Sequence, residues 1–264
     1  MTVQLAPTFD LARLRAALGA ALGRVDVDHL DRCGSTNTLL LERASAGAPS
    51  GQVLVADQQT AGRGRRGRGW QSSPDHSLTF SLLWRFVHGT PVAGLSLAVG
   101  VAVARALESL GVDGVALKWP NDILLFGRKL SGVLVEALFD TRGTSTVIGI
   151  GINLRQHPDW PGHVGQPYAA LHDVGYVGGR EDVLAAVLRE LVDTLDAFAR
   201  EGFISCRRDW LLRHAFQDLP VRLSSEHGDI VGQCLGVDDT GALLVETDGG
   251  ILPILNGDVS LRGL

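Results

Sequence analysis

The chain has 264 residues, 45% hydrophobic and 20% charged, with a net charge of −5. That composition supports the packed core of one large domain, or of a large domain with a small one, and excludes a disordered chain. An acidic whole also argues against a protein built to coat nucleic acid, which carries a broad basic face.

In chain order, the first 23 residues lack the basic start and apolar core of a signal peptide. Within them Leu11, Leu14, Leu18 and Leu22 recur at helical spacing, so a short amphipathic helix over residues 10–22 is expected to pack on the core. Residues 25–32 alternate like an edge strand. Ser35 or Thr36 can cap a helix that ends near Gly47, ahead of Pro49. Residues 51–59 form a strand that runs into AGRGRRGRGW, residues 61–70. Residues 77–86 form a long strand, and residues 92–110 a helix. The longest apolar run, residues 91–104, is too short for a bilayer and leads into Arg105 and Glu108.

KWPND (118–122) and GRKLSG (127–132) bracket a hairpin with Gly127 and Arg128 central. Its first strand is entered through Asn121 and Asp122, and its second begins at Lys129. Another buried strand ends near Asn153. A Pro/His/Gly-rich loop, residues 155–166, leads to helices over 180–201 and 203–215. From Leu219 the helical period disappears. Short strands alternate with turns at Asp239-Thr240-Gly241 and Asp248-Gly249-Gly250. The division falls at residue 218, with a large unit over 1–218 and a small β-module over 219–264. The element order mixes strands and helices without doubly wound alternation, which makes the class α+β. Three widely spaced cysteines, Cys33, Cys206 and Cys234, with no C-x-x-C pair, read as reduced thiols in a cytoplasmic protein.

The arginine–glycine loop carries the first chemistry. Glycines let backbone N–H groups approach a ligand while guanidinium forks surround it. Such a loop suits a carboxylate or phosphate, and Trp70 offers a flat surface to a base. The spacing is not that of a Walker loop, nor of a dinucleotide fingerprint. With an acidic chain around it, the loop is expected to close over one small anion rather than a nucleic-acid strand. In the hairpin, a lysine on a rigid strand end can hold charge beside a reacting phosphorus. A neighbouring aspartate can orient an amine or take its proton. Asn153 can hold a ribose or phosphate oxygen.

GSTN (34–37), QQTAGRGRRGRGW (58–70), KWPND (118–122), GRKLSGVLVE (127–136) and GIGIN (149–153) follow one another in order. Together they resemble the biotin protein ligases (biotin–[acetyl-CoA-carboxylase] ligases), in the form without an N-terminal DNA-binding domain. The resemblance implies a mixed central sheet flanked by helices, followed by a small SH3-like β-barrel. It implies that ATP activates biotin as biotinyl-5′-AMP, and that a lysine of a biotin carboxyl carrier domain, of the acyl-CoA or pyruvate carboxylase type, then displaces AMP.

Carried over by position, Lys129, Arg65 and Asp122 would be catalytic. Biotin would meet Ser35, Thr36, Asn37, Gln59, Arg63, Gly64, Arg65, Lys129 and Gly132, with Gly132 letting its ureido ring approach the backbone. The nucleotide would meet Arg65, Arg68, Trp70, Lys118, Asn121 and Asn153. Mg²⁺ would ride on ATP phosphates and water, with no protein cage. About 30 residues precede GSTN, too few for a helix-turn-helix domain, so no operator binding is expected. A monomer or weak homodimer, free of membranes, completes the expectation. The alternatives are a lipoate or octanoate ligase or transferase of the same fold and, from another class, an RNA-binding module built on the arginine–glycine loop.

Overall fold

The computed structural model describes residues 9–141, 143–160, 168–225, 228–255 and 260–263. The first eight residues and part of the 155–166 loop therefore lie outside the described residues. Helix α1 (Leu11–Ala17) is capped by the Asp10 carboxylate, which accepts from Arg13 N, and a 3-10 turn (Gly19–Gly23) follows. Strand β1 (Asp26–Cys33), helix α2 (Thr36–Ser45) and strand β2 (Gln52–Gln59) come next. β1 and β2 pair in parallel, and α2 supplies the crossover that a parallel pair needs.

Strand β3 (Ser77–Val87), helix α3 (Leu95–Ser109), β4 (Val115–Lys118), β5 (Asp122–Leu125), β6 (Arg128–Asp140) and β7 (Gly143–Asn153) complete a seven-stranded mixed sheet. Its order is β1-β2-β3-β7-β6-β5-β4. Helices α4 (Arg180–Glu201) and α5 (Ile204–Leu212) follow. Strand alternation sorts the two faces of the sheet. Leu78, Phe80 and Leu82 of β3, with Ile148, Ile150 and Ile152 of β7, face the large core beneath α3 and α4. Leu54, Leu83 and Val147 face the other way, onto Leu40 and Ala44 of α2. α3 is apolar nearly all round because it lies between the sheet and the helices α4 and α5. α1 buries Leu14 on the same core and fixes its far side by a two-pronged Arg13–Asp182 contact of 3.1 and 2.6 Å to α4.

The β5–β6 turn sits one residue earlier than the sequence reading placed it. Leu125 pairs with Arg128, so Phe126 and Gly127 are central, at φ 46° and 76°. A two-residue turn of this hand needs positive φ at both central positions. Phe126 takes it because its ring lies over Gly114, where a Cβ would come within 2.5 Å of the ring.

The small module is an antiparallel sheet of β8 (Pro220–Ser225), β9 (Gly228–Val237), β10 (Leu243–Thr247), β11 (Gly250–Ile254) and β12 (Ser260–Gly263), ordered β11-β10-β9-β8-β12. The expected barrel requires its edge strands to meet, and among the described residues β11 and β12 share no pairing. The Asp239–Gly241 turn is fixed by Asp238 Oδ1, which accepts from Thr240 N and Ala242 N at 2.8 and 2.9 Å. That turn reaches the larger unit. Trp119 Nε1 donates to Gly241 O at 3.1 Å, and a Cβ on Gly241 would lie 2.9 Å from Gly94 Cα. No helix among the described residues is long and apolar enough to cross a membrane.

Candidate active site

The site lies on the α2 face of the sheet, and three glycines make room for it. Gly132, Gly151 and Thr79 stand in one cross-strand row; Leu134, Gly149 and Ser81 stand in the next. A Cβ at Gly149 would lie 2.2 Å from Asn37 Oδ1, and one at Gly151 would lie 2.2 Å from the Trp70 ring. A Cβ at Gly132 would lie 3.3 Å from Lys129 Nζ. Each missing side chain is thus replaced by one of the expected site residues. The space above Gly132 borders the Lys129 ammonium.

At one end of the cleft stands the N-terminus of α2. Ser35 is its cap, with its hydroxyl 3.5 Å from Thr38 N. Gln59 Oε1, at the end of β2, accepts from Thr36 N at 2.7 Å and lies 3.0 Å from Thr36 Oγ1. The Thr36 and Ser81 hydroxyls are 2.6 Å apart, and Ser81 donates to Asn37 Oδ1 at 2.5 Å. Asn37 Nδ2 donates to Glu136 Oε2 at 2.9 Å. Ser35, Thr36, Asn37 and Ser81 are all buried, which is tolerable because Ser35 accepts from Thr38 N and the other three find partners among themselves, Gln59 and Glu136.

At the other end, backbone anchors dominate. Asn121 bridges to β6: Val133 N donates to its carbonyl at 3.0 Å, and its Nδ2 donates to Val133 O at 2.9 Å. Lys129 Nζ lies 2.6 Å from Asp122 Oδ1 across the hairpin. Asn153 Nδ2 donates to Ala169 O at 3.0 Å and, at 3.4 Å, to Lys129 O. It therefore clamps the strand that carries the lysine. Lys118 ends β4 and lines the same end.

The arginine–glycine stretch is a small hairpin folded over the cleft. Arg63 bridges to Gly69, Gly64 N donates to Arg68 O at 2.7 Å, and Trp70 N donates to Gly62 O at 2.9 Å. Arg66 sits at φ 62°. Arg63 Nη2 reaches Glu136 Oε2 at 2.6 Å, and Arg65 Nη1 makes a long 3.5 Å approach to Asn121 Oδ1. Trp70 lies against Gly151 and donates from Nε1 to Thr79 Oγ1 at 3.3 Å.

The resulting cleft holds about 840 Å³, within the range of about 300–1,000 Å³ that suits a mid-sized organic ligand. Ser35, Thr36, Asn37, Gln59, Arg63, Gly64, Arg65, Arg68, Trp70, Lys118, Asn121, Asp122, Lys129, Gly132 and Asn153 all line it. Every residue singled out from the sequence therefore meets in one place. Among the described residues, its wall carries seven basic side chains (Arg63, Arg65, Arg66, Arg68, Lys118, Arg128 and Lys129) against one carboxylate, Asp122. In a chain of net charge −5, that is a local field for an anion.

Sequence reasoning missed several members. Ser81 and Thr79 are isolated polar residues at alternate positions of an apolar strand, a signal that was available. Glu136 stood in the quoted GRKLSGVLVE motif without a role. Trp160 and Tyr168 also line the cleft, their rings 6.0 Å apart, and only tertiary folding brings them there. Cys33 is no nucleophile candidate, because burial pushes its thiol up and away from the thiolate.

Residues 30–153 match the Biotin/lipoate A/B protein ligase family, and residues 220–262 match the Biotin protein ligase C terminal domain. The biotin–[acetyl-CoA-carboxylase] ligase of Mycobacterium tuberculosis is 35% identical over 97% of this chain and 97% of its own length. The chain belongs to the biotin protein ligase family. The bifunctional ligase/repressor BirA of Escherichia coli is 39% identical to this ligase, over 91% of this chain and 76% of BirA. Among solved structures, the biotin protein ligase from Aquifex aeolicus in complex with biotin and ATP superposes with a TM-score of 0.78 at 32% identity. That match covers 90% of this ligase and 99% of the other chain.

Proposed function

We propose that this ligase activates biotin with ATP as biotinyl-5′-AMP and transfers the biotinyl group to one lysine of a biotin carboxyl carrier domain. The observation that carries this reading is the cationic cleft, which joins a neutral hydrogen-bonding pocket at α2 to Lys129. In the first step a carboxylate oxygen of biotin attacks the α-phosphorus of ATP, and pyrophosphate leaves. Negative charge gathers on the phosphoryl oxygens as that bond forms. Lys129 and Arg65 stabilise it from fixed positions, and a well-placed donor of this kind is worth about 3 kcal/mol. In the second step the acceptor ε-amine attacks the acyl carbonyl, AMP leaves, and Asp122 receives the amine proton.

The biotin ring takes the α2 end, against Ser35, Thr36, Asn37 and Gln59, with Gly132 beside it. Arg63 and Gly64 close over its carboxylate. The nucleotide takes the hairpin end, against Arg68, Trp70, Lys118, Asn121 and Asn153. The closed lid keeps water from the acyl phosphate anhydride.

Mg²⁺ enters on the phosphates of ATP. Among the described residues the cleft wall offers a single carboxylate, Asp122, already paired with Lys129. Among the described residues, one group of acids and histidine is close enough to hold an ion: His29, Asp31 and Asp57. It lies outside the residues that line the cleft, and Arg180 occupies Asp57 Oδ1 at 2.6 Å. The catalytic unit spans residues 1–218 and the β-module 219–264. The protein works in the cytoplasm as a monomer or weak homodimer.

Mass spectrometry of a carrier domain incubated with this protein, ATP and biotin tests the reading. One biotinyl group on one lysine is expected. An unmodified carrier, or one modified only with lipoate or octanoate, contradicts it.

A further inference from the structure

Glu136 is a carboxylate on β6 that no step above uses, and it does not line the cleft. One of its oxygens, Oε2, accepts from two donors of different origin. Asn37 Nδ2, from the buried pocket at α2, stands at 2.9 Å, and Arg63 Nη2, from the lid, stands at 2.6 Å. Behind Asn37, Ser81 donates to Asn37 Oδ1, the Thr36 hydroxyl donates to Ser81, and Thr36 N donates to Gln59 Oε1, which makes a continuous series. Asn37 is 4% exposed and Ser81 fully buried, so this series has few other arrangements. Arg63 is the residue at which the two strands of the lid hairpin bridge, opposite Gly69. Holding Arg63 therefore holds the base of the whole lid, including Trp70, whose N–H bonds Gly62 O.

We propose that Glu136 is a positioning residue that latches the lid: its carboxylate, oriented by Asn37, retains Arg63 and so couples the state of the biotin end to closure over the adenylate. The proposal rests on the assignment of substrates to the cleft given above. A ligand that shifts Asn37 shifts the acceptor on which Arg63 depends. In the other direction, an open lid takes Arg63 away and leaves Asn37 Nδ2, at 2.9 Å, as the donor that still orients the Glu136 carboxylate. Glutamine at this position keeps an acceptor for Asn37 and loses the charge that holds the guanidinium.

The lid's own arginines make it a tryptic target, so its opening can be read on the intact protein with and without ligand. Glu136→Ala is expected to raise the rate of cleavage after the lid arginines about tenfold. It is also expected to shorten retention of labelled biotinyl-5′-AMP by a similar factor, the scale of one charge-assisted hydrogen bond. Glu136→Gln falls between parent and Ala. Arg63→Ala speeds release like Glu136→Ala, and the double variant is no worse than the faster single one, because both remove one contact. Effects that multiply, or a Glu136→Ala protein that retains the adenylate like the parent, overturn the latch. Should the Ala variant not fold, Glu136→Gln and exposed Arg63→Ala carry the same comparison. A parent protein that forms no adenylate contradicts the substrate reading alone, and cleavage of the ligand-free lid then decides the latch by itself.

Discussion

At the α2 end of the cleft, Thr36, Asn37, Gln59 and Ser81 are held by one another's side chains. At the hairpin end, Asn121 and the Lys129 strand are held by bonds that engage the main chain of β6 and residue 169, leaving the Lys129 ammonium to meet Asp122. The difference separates two kinds of recognition. A buried network of neutral groups, with one outlet to the Glu136 carboxylate, fits a neutral polar ring, and losing one member strands its neighbours. A charge on a rigid strand serves a reaction in which charge appears, and losing it leaves the scaffold standing. Substitutions at the first end should show in substrate affinity, and those at the second in the chemical step.

The largest expected effect lies at the second end. Lys129→Ala should lower biotin-dependent ATP–pyrophosphate exchange by roughly 10²–10³-fold, the usual cost of removing one preorganised donor. The thermal midpoint should barely move. A large loss of stability with normal exchange would reverse the roles of the two ends.

Acid should loosen the second end through its outer support. Leu117, next to Lys118, bonds through its backbone to Arg213 and Ala215 at 2.7 and 2.8 Å. His214 between them is buried against Trp210, Phe216 and Cys234. Burial lowers its pKa from 6.5 to about 4. Above pH 6.5 the imidazole is neutral in both states and contributes no pH dependence. Between pH 6.5 and 4 the unfolded chain binds a proton that the folded one refuses, so stability falls with pH, by about 3 kcal/mol in all. Thermal melts across this window should show the fall, and His214→Phe should flatten it. An equally steep fall in that variant assigns the effect elsewhere.

Asn37→Leu tests the first end. It removes partners from Ser81 and Glu136, at about 2 kcal/mol. The KM for biotin should rise 10- to 100-fold while the KM for ATP stays within a few fold. The smallest effects come from the floor. Gly149→Ala pushes on Asn37 and Gly151→Ala on Trp70, each at 2.2 Å. Each should cost about tenfold, overpacking on the scale of 1–3 kcal/mol, the first in biotin KM and the second in ATP KM. The same pattern from both would mean that the two ends are not separate.

Much of this was legible in the chain itself. Helical spacing and Ser35 located α1 and α2, and alternating or continuous apolar runs located β2, β3 and β7. The motif residues sit in groups at strand ends, in one loop and at one helix start, and they converge because these ends open on one face of the sheet. Less legible were features set by partners distant in sequence. Phe126 takes a left-handed turn position because Gly114 receives its ring. Ser81 and Glu136 gain their meaning from Asn37, more than 40 residues away from either. Strand pairing was equally hidden: nothing local to residues 26–33 says that β1 lies parallel to β2.

The central claim is that a biotin carboxylate and the α-phosphate of ATP meet at Lys129. Exchange of labelled pyrophosphate into ATP, run with biotin, lipoate or octanoate in turn on the parent and on Lys129→Ala, tests it most directly. The account predicts exchange with biotin alone, in the parent, and near-background exchange in the variant. Exchange driven by lipoate or octanoate in place of biotin, or a variant that matches the parent, would contradict it.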